Sequence, residues 1–275
     1  FLFKFLDMKY LIEAAWESRN LLEKKETKSA IIEVINQLDN GFLRVAEKTK
    51  NGWKINEWIK KAVILYFPIQ KMRSIEVGPF EFHDKIPLKK GFEKKNIRVV
   101  PHAIIRHGAY VAGDTILMPS YTNIGAYIDK GTMIDTWATV GSCAQIGKNV
   151  HLSGGVGVGG VLEPIQASPV IIEDDAFIGS RSIIVEGVKI EKEAVLGANV
   201  VLTASTKIID VTGSKPIELK AVVPSRSVVI PGSYEKIFNA GKYQVPCALI
   251  IGKRKESTDK KTSLNDALRE NNISF

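Results

Sequence analysis

The chain has 275 residues, of which 45% are hydrophobic and 25% charged, a composition typical of a globular protein rather than a disordered or collagen-like one. Its two cysteines, Cys143 and Cys247, are too few for a disulfide scaffold or a zinc site built from several cysteines. No run of about 18 uncharged apolar residues predicts a membrane span. The net charge of +8 leaves nucleic acid, phospholipid or a phosphorylated cofactor open as polyanionic partners.

The positive charge lies at the two ends of the chain. Residues 1–98 hold 20 Lys and Arg against 13 Asp and Glu, residues 99–208 hold 7 against 10, and residues 209–275 hold 11 against 7. The middle segment, which is the most regular, is therefore slightly acidic. This distribution argues against a basic stripe for nucleic acid on the regular surface.

Residues 1–97 predict a small helical domain and a linker. Residues 1–7 precede the first methionine, Met8, which we expect to be the natural beginning. Apolar side chains recur at helical spacing in two segments. The first contains Leu11, Ile12, Ala15, Trp16 and Leu22, and the second contains Ile31, Val34, Ile35 and Leu38.

Turn and capping residues divide this domain. Gly41 follows Asn40 and ends the second helix, and the pair at 51–52 (NG) predicts a short hairpin. Asn56 is placed to cap a third helix from Glu57 to about Phe67, which Pro68 ends. Residues 69–97 are rich in Lys, Pro and Gly and are predicted to be irregular.

The middle of the chain carries a six-residue repeat. Every sixth position from Ile104 is aliphatic or aromatic, with Thr122 as the exception, and a second run of seven starts at Ile172. The positions are Ile104, Tyr110, Ile116, Thr122, Ile128, Ile134, Val140, Ile146, Leu152 and Val158, then Ile172, Ile178, Ile184, Ile190, Leu196, Leu202 and Ile208. Small residues often stand two positions earlier, and Gly, Asn or Asp often follows.

A period of six fits neither a helix nor a simple alternating strand. It fits a solenoid with three flat sides per turn, in which one aliphatic side chain per side points inward. We therefore predict a mainly β fold, a parallel β-helix of nearly six turns over residues 98–230. It follows the helical domain of residues 1–97 and precedes a short C-terminal extension of residues 231–275.

Two interruptions and a tail complete the prediction. Residues 159–169 read as a loop expelled from a corner, and residues 210–220 as a second excursion. The last residues predict a short helix in which Ser263 caps and Asp266 stands three positions on. The glycine-rich segment 153–160 lacks the helix and the distant acidic residue of a dinucleotide loop, so it favours a flattened corner where a ligand lies against backbone.

Several motifs resemble one enzyme family over nearly the whole chain. The most specific is residues 135–145 (DTWATVGSCAQ). The others are residues 43–48 (LRVAEK), 98–101 (RVVP), 117–121 (LMPSY), 123–127 (NIGAY), 148–155 (KNVHLSGG) and 160–164 (GVLEP). On these residues the chain resembles the tetrahydrodipicolinate N-succinyltransferases, which are hexapeptide-repeat acyltransferases.

The resemblance implies a left-handed β-helix, a homotrimer, and transfer of a succinyl group from succinyl-CoA to the amine of ring-opened tetrahydrodipicolinate. That reaction belongs to diaminopimelate and lysine biosynthesis. We expect a cytoplasmic enzyme with succinyl-CoA as co-substrate, no permanently bound cofactor, no metal, and no nucleic-acid or membrane partner. The chemistry asks for a base to take the amine proton and for cations to hold carboxylates.

The resemblance also implies site residues. Asp135 matches the substrate-binding and catalytic aspartate, although a corner Asp can also simply bond its own backbone. Arg98 matches a substrate-binding arginine, and Arg181 is a candidate for a second carboxylate. An acidic residue expected to share in catalysis is replaced by Ile183. Either Glu186, three positions on, takes that role, or Asp135 and the substrate manage without a second carboxylate.

Other candidates carry less weight. Lys253 and Arg254 are predicted to meet CoA phosphates, with a solvated tail as the alternative interpretation. His151 lies in a family motif and is either a corner residue or an acid–base group. For the whole chain, an N-acetyltransferase of the same pathway and a non-catalytic β-solenoid scaffold remain the alternatives.

Overall fold

A computed structural model of the chain describes residues 2–255, with side chains described from residue 7 onward. The predicted C-terminal helix around Ser263 and Asp266 lies outside the described residues. No helix within them is long and apolar enough to cross a membrane.

The N-terminal part is a three-helix domain, as predicted. Its helices are α1 (Leu2–Glu17), α2 (Lys25–Asp39) and α3 (Glu57–Ile69). The strands β1 (Ala46–Thr49) and β2 (Gly52–Ile55) form the predicted hairpin, with Thr49 opposite Gly52. Residues of all three helices share one apolar core, in which Ile12, Ile35 and Leu65 are fully enclosed.

Four local predictions for this region were wrong. Leu22 lies in a separate 3-10 helix (Arg19–Glu23), not on the first helix. Pro68 lies inside α3, and the Asn56 side chain donates to the carbonyl oxygen of Arg44 (2.9 Å) instead of capping the helix. The stretch after α3 is not all irregular, because β3 (Arg73–Val77) and β4 (Phe80–Asp84) form an antiparallel hairpin before a short 3-10 helix (Glu93–Lys95).

The middle of the chain is a parallel β-helix with three faces, which confirms the predicted fold class. Face 1 consists of β5 (Arg98–Val99), β8 (Ile116–Leu117), β11 (Met133–Ile134), β14 (His151–Leu152), β17 (Phe177–Ile178), β20 (Val195–Leu196) and the start of β25. Face 2 consists of β6 (Ile104–Ile105), β9 (Tyr121–Thr122), β12 (Thr139–Val140), β15 (Gly157–Val158), β18 (Ile183–Ile184) and β21 (Val201–Leu202). Face 3 consists of β7 (Tyr110–Val111), β10 (Tyr127–Ile128), β13 (Gln145–Ile146), β16 (Ile171–Ile172), β19 (Lys189–Ile190) and β24 (Val222–Val223).

Three corners, which we call A, B and C, join the faces. The segments of each corner are given in order from the first coil to the sixth. Corner A, from face 1 to face 2, comprises residues 100–103, 118–120, 135–138, 153–156, 179–182 and 197–200. Corner B, from face 2 to face 3, comprises residues 106–109, 123–126, 141–144, 159–170, 185–188 and 203–206. Corner C, from face 3 back to face 1, comprises residues 112–115, 129–132, 147–150, 173–176, 191–194 and 224–226.

In each two-residue strand the second side chain points into the coil. The repeat predicts these inward residues correctly from Thr122 onward, but the first three positions are off by one. Ile105, Val111 and Leu117 are the buried residues, whereas Ile104, Tyr110 and Ile116 face outward. The cause is a shortened side, because only five positions separate the inward residues Leu117 and Thr122.

Both predicted interruptions are present, and both leave the coil at corner B. The first is the loop of residues 159–170. The second is an antiparallel hairpin of β22 (Lys207–Asp210) and β23 (Ile217–Lys220), after which β24 resumes face 3.

The end of the described chain is a long hairpin rather than a short tail. The strands β25 (Ser227–Phe238) and β26 (Gly241–Lys253) pair along their length, and β25 runs through residue 230 without interruption. Its outer part leaves Ile237 and Tyr243 exposed. The division of the chain at residues 97 and 230 stays a prediction.

Candidate active site

Asp135 begins corner A in the third coil, directly after the inward Ile134. Its Oδ1 accepts a hydrogen bond from the amide of Thr136 at 2.6 Å. Asn123 and Asp129 make the same bond to the next amide at the other two corners. This local bond is therefore a general feature of corner geometry, and it leaves Oδ2 of Asp135 without a partner among residues 7–255.

Backbone hydrogen bonds align the segments of corner A. The amides of Trp137, Gly155, Arg181 and Asn199 donate to the carbonyl oxygens of Pro119, Thr136, Gly154 and Ser180, at 2.7–3.0 Å. These four donors have φ between 61° and 70° and share one apical position, as does His102 in the first coil. The second coil has no residue at this position, because its corner segment comprises only residues 118–120.

The missing apex leaves a notch in corner A beside the third coil. His102 and Trp137 meet across it, with their ring centroids 5.7 Å apart. Phe80, at the tip of the β3–β4 hairpin, extends the aromatic strip, with its centroid 6.2 Å from that of His102. Trp137 remains 64% exposed although it lies only two positions after Asp135.

Above Trp137, the apex of the fourth coil is Gly155, and the side chain of Arg181 lies over it. An ideal Cβ built on Gly155 would stand 2.9 Å from Cδ and 3.4 Å from Cζ of Arg181. The absence of a side chain at Gly155 thus lets the guanidinium lie toward the Asp135 coil. Within residues 7–255, no carboxylate pairs with it.

Arg98 lies on the other side of Asp135. It is the first residue of β5 in the first coil, and its side chain faces outward and is exposed, while Val99 faces inward. Position 98 is six residues before Ile104, so the repeat predicts an inward aliphatic residue there. In the first coil the inward positions are shifted by one residue, which places Arg98 outside and Val99 inside. Along the coil axis, Arg98, Asp135 and the guanidinium of Arg181 therefore follow one another.

The other predicted site residues lie at different corners. Glu186 belongs to corner B of the fifth coil, where its Oε2 accepts a hydrogen bond from the amide of Ala204 at 3.1 Å. Ile183, at the place of the family's acidic residue, faces outward on face 2. The chain therefore does not bring Glu186 and Asp135 together.

Lys253 and Arg254 lie at corner C. Nζ of Lys253 donates to the carbonyl oxygen of Ser225 at 3.1 Å, and Nη1 of Arg254 donates to the carbonyl oxygens of Asp175 (2.5 Å) and Glu193 (3.4 Å). These bonds tie the end of β26 to the coil. His151 lies on face 1, stacked on Phe177 with 5.0 Å between ring centroids.

The helical domain covers face 3 and corner B in the second to fourth coils. The guanidinium of Arg44 lies 3.5 Å from the ring centroid of Tyr127, and its Nε donates to Oε1 of Gln145 at 3.0 Å. Burial lowers the pKa of Arg44, which the nearby Tyr127 and acidic groups partly offset. Cys143, at corner B, is fully enclosed, and burial raises the pKa of its thiol to about 12, so it is no nucleophile.

Sequence reasoning missed the notch and the pose of Arg181. The signal for the notch was present, since the shortened side contains Pro119 and the inward Thr122 breaks the apolar series. The described residues contain no group of three or more His, Cys, Asp or Glu side chains that could hold a metal ion.

Comparisons with known proteins show which proteins the chain is similar to. Residues 7–69 match the family model described as tetrahydrodipicolinate N-succinyltransferase N-terminal, and residues 169–204 match the hexapeptide repeat of succinyl-transferase. Three curated relatives are named 2,3,4,5-tetrahydropyridine-2,6-dicarboxylate N-succinyltransferase. The protein of Acinetobacter baylyi is 50% identical over 94% of this chain and 97% of its own length. That of Parvibaculum lavamentivorans is 48% identical and that of Bartonella bacilliformis 50% identical, each over 96% of this chain and 99% of its own length.

Proposed function

Since the chain belongs to the tetrahydrodipicolinate N-succinyltransferase family, we propose that it transfers the succinyl group of succinyl-CoA to the amine of ring-opened tetrahydrodipicolinate. The step belongs to diaminopimelate and lysine biosynthesis in the cytoplasm. The observation that carries the proposal is Asp135, in the family-specific motif, with a free carboxylate oxygen at the corner that the helical domain leaves open.

In the reaction, the acceptor nitrogen attacks the thioester carbonyl carbon, so that a C–N bond forms and the C–S bond breaks. The nitrogen loses one proton, which we assign to the free Oδ2 of Asp135. The CoA sulfur leaves as a thiolate and takes up that proton, which restores the carboxylate. Asp135 suits this role because its other oxygen is fixed by the amide of Thr136, which holds the carboxylate in one orientation.

Arg98 is proposed to bind a carboxylate of the acceptor. A guanidinium binds a carboxylate through two parallel hydrogen bonds, and the exposed Arg98 lies on the face that leads into corner A. No further cofactor is needed for this transfer, because the thioester already activates the acyl group.

The working enzyme is proposed to be a homotrimer, as the resemblance implies. The outward residues of face 1 support this, since Ile116, Met133, Phe177 and Val195, with His151 between Met133 and Phe177, form a largely apolar column that the chain leaves only half-buried. Glu186, Lys253 and Arg254 lie at corners B and C, so any contact with the Asp135 site must cross a subunit interface.

The function is tested by measuring thiol release from succinyl-CoA and acetyl-CoA with a 2-aminopimelate-type acceptor. We expect release that depends on the acceptor and prefers succinyl-CoA. Preference for acetyl-CoA would instead indicate the N-acetyltransferase of the same pathway. No release from either donor would refute the enzymatic proposal and favour a scaffold.

A further inference from the structure

The inside of the second coil contains two hydroxyl groups that no protein group satisfies. Ser120 ends corner A and Thr122 is the inward residue of β9, so their side chains, two positions apart, point to the same side of the chain. Thr122 is fully enclosed, and Ser120 is 8% exposed. Within residues 7–255, Oγ of Ser120 and Oγ1 of Thr122 are the only buried side-chain oxygens or nitrogens without a hydrogen-bond partner.

Hydroxyl groups at equivalent corner positions are paired with the next coil. Ser182 occupies the position of Ser120 three coils further on. Its Oγ donates to the carbonyl oxygen of Gly197 at 3.0 Å and accepts from the amide of Val200 at 3.3 Å. Thr132, which ends corner C in the third coil, bridges two coils in the same way. The unpaired state of Ser120 is therefore specific to the second coil.

The shortened segment of the second coil also leaves the amide of Ser120 free. In the first, third, fourth and fifth coils, the last amide of corner A donates to the carbonyl oxygen three positions earlier, at 2.8–3.2 Å. The segment 118–120 is one residue shorter, and the amide of Ser120 makes no such bond among the described residues. One further donor thus accompanies the two unpaired hydroxyl groups.

Small residues around these groups leave room for a guest molecule. Ala103 and Ala138 flank Ser120 in the neighbouring coils, whereas Val156 and Val200 hold this position further along the coil. Positions two apart in a strand are separated by about 7 Å. Two hydroxyl groups that turn toward each other across this distance lie about 5 Å apart, a gap that one water molecule spans with two hydrogen bonds of about 2.8 Å.

Buried hydroxyl groups are costly when unpaired, and buried water molecules typically make about three hydrogen bonds to such groups. We propose that the second coil binds one buried water molecule, held by the amide and Oγ of Ser120 and by Oγ1 of Thr122. This water replaces the turn bond that the short segment lacks. The inference is independent of the proposed function, because it concerns the inside of the coil rather than the surface that meets substrates.

A high-resolution crystal structure of the full chain tests the site directly. We expect one density peak about 2.6–3.2 Å from both hydroxyl oxygens. The absence of this peak overturns the proposal, as does a direct hydrogen bond that pairs either hydroxyl with a protein group.

Thr122→Val tests the water in solution, because a bound and an unpaired hydroxyl predict opposite effects. Valine has nearly the shape of threonine but offers the water no hydrogen bond, so the equilibrium constant of unfolding is expected to rise about fivefold. If the hydroxyl is unpaired, its removal instead lowers this constant and overturns the proposal. Urea unfolding at equal protein concentration measures the change. Thr132→Val is the control that destabilises in either case, since that hydroxyl has two protein partners.

A double-mutant cycle tests whether both hydroxyl groups hold the same water. Ser120→Ala alone is expected to destabilise the chain as Thr122→Val does. The double variant removes both partners of the water together, so its loss is expected to be clearly smaller than the sum of the single losses. The control pair is Ser182→Ala with Thr122→Val, three coils apart, whose losses are expected to add. Additive losses for Ser120→Ala and Thr122→Val would overturn the shared water.

Discussion

Corners A and B are built from the same repeat, yet they carry opposite surfaces. At corner A the side chains that break the repeat, Asp135, Trp137 and Arg181, project with few partners in the chain. At corner B the segments of the second to fourth coils are covered by the helical domain, and Cys143 and Ile124 join its core. The repeat thus determines where a corner lies. The side chains that depart from the repeat determine whether that corner is open to a substrate or packs against the helical domain.

Corner B adds single polar contacts to this apolar packing, whereas the contacts inside the coil are repeated and apolar. Lys60 of α3 is fully enclosed, and its Nζ donates to the carbonyl oxygens of Pro164 (3.4 Å), Ile165 (2.8 Å) and Ala167 (2.7 Å) in the expelled loop. When such a single contact is lost, no equivalent contact in an adjacent coil compensates for the lost stability. The following changes test the contrast, from the largest expected effect to the smallest.

At corner A, Asp135→Asn is expected to lower kcat about 10³-fold, within the range for general base catalysis. The amide oxygen of Asn can still accept from Thr136, as Asn123 does from Ile124, so the corner is preserved while the proton acceptor is lost. Asp129→Asn, at corner C, is the matched control and keeps normal turnover. Full activity in Asp135→Asn would remove Asp135 from the proposed mechanism.

At corner B, Lys60→Met is expected to lower the free energy of unfolding by about 3 kcal/mol, since it leaves three loop carbonyls without their buried donor. Denaturant unfolding measures the change. Lys61→Met is the control from the same helix: Lys61 pairs with Glu13 at a partly exposed site, and its loss is expected to change stability by less than about 1 kcal/mol. Equal effects of the two substitutions would contradict the special role of the enclosed lysine.

The junction of α2 with corner B predicts a pH dependence. Burial would raise the pKa of Asp39, but hydrogen bonds from His107 and Lys89 and from the amide of Gly108 outweigh it and lower the pKa to about 2. A depressed carboxyl pKa stabilises the fold above the ordinary value of 3.8, and this stability is lost as the pH falls through about 2. The contribution is about 2 kcal/mol at 1.36 kcal/mol per pKa unit.

Asp39→Asn tests this dependence. The variant is expected to be less stable than the wild type at pH 6, and the difference is expected to shrink between about pH 4 and pH 2. Urea unfolding of both proteins at a series of pH values gives the difference between their free energies of unfolding. Because both proteins share the other carboxyl groups, the effect of those groups cancels in this difference. A difference that stays constant with pH would show that Asp39 contributes through packing rather than charge.

The β-helix was predictable because its contacts repeat. An inward aliphatic residue such as Ile134 stacks on Leu117 below and Leu152 above, so each turn confirms the register of the next. The register failed for Ile104, Tyr110 and Ile116, where the outward neighbours of the true core residues are also apolar. The β3–β4 hairpin was missed because its strands pair only with each other and its sequence shows no periodicity over a long segment.

The candidate site was predictable only where a motif singles out one residue. A motif singled out Asp135 and Arg98 as candidates, and their roles stay predictions, whereas their order along the coil depends on counting turns. Placing Glu186 needs the knowledge that a strand lies between it and corner A, which sequence proximity to Arg181 conceals. The partners of Lys253 and Arg254 at corner C likewise depend on where the long hairpin returns to the coil.

The notch in corner A exists because the second coil lacks one corner residue. Its shape arises because the segment 118–120 has one residue fewer than the segments above it, so segment length rather than the size of one side chain creates it. A point substitution leaves the length of this segment unchanged. Variation in chain length is the mutation to which this surface responds: a single residue inserted after Pro119 would supply the absent apex and separate His102 from Trp137.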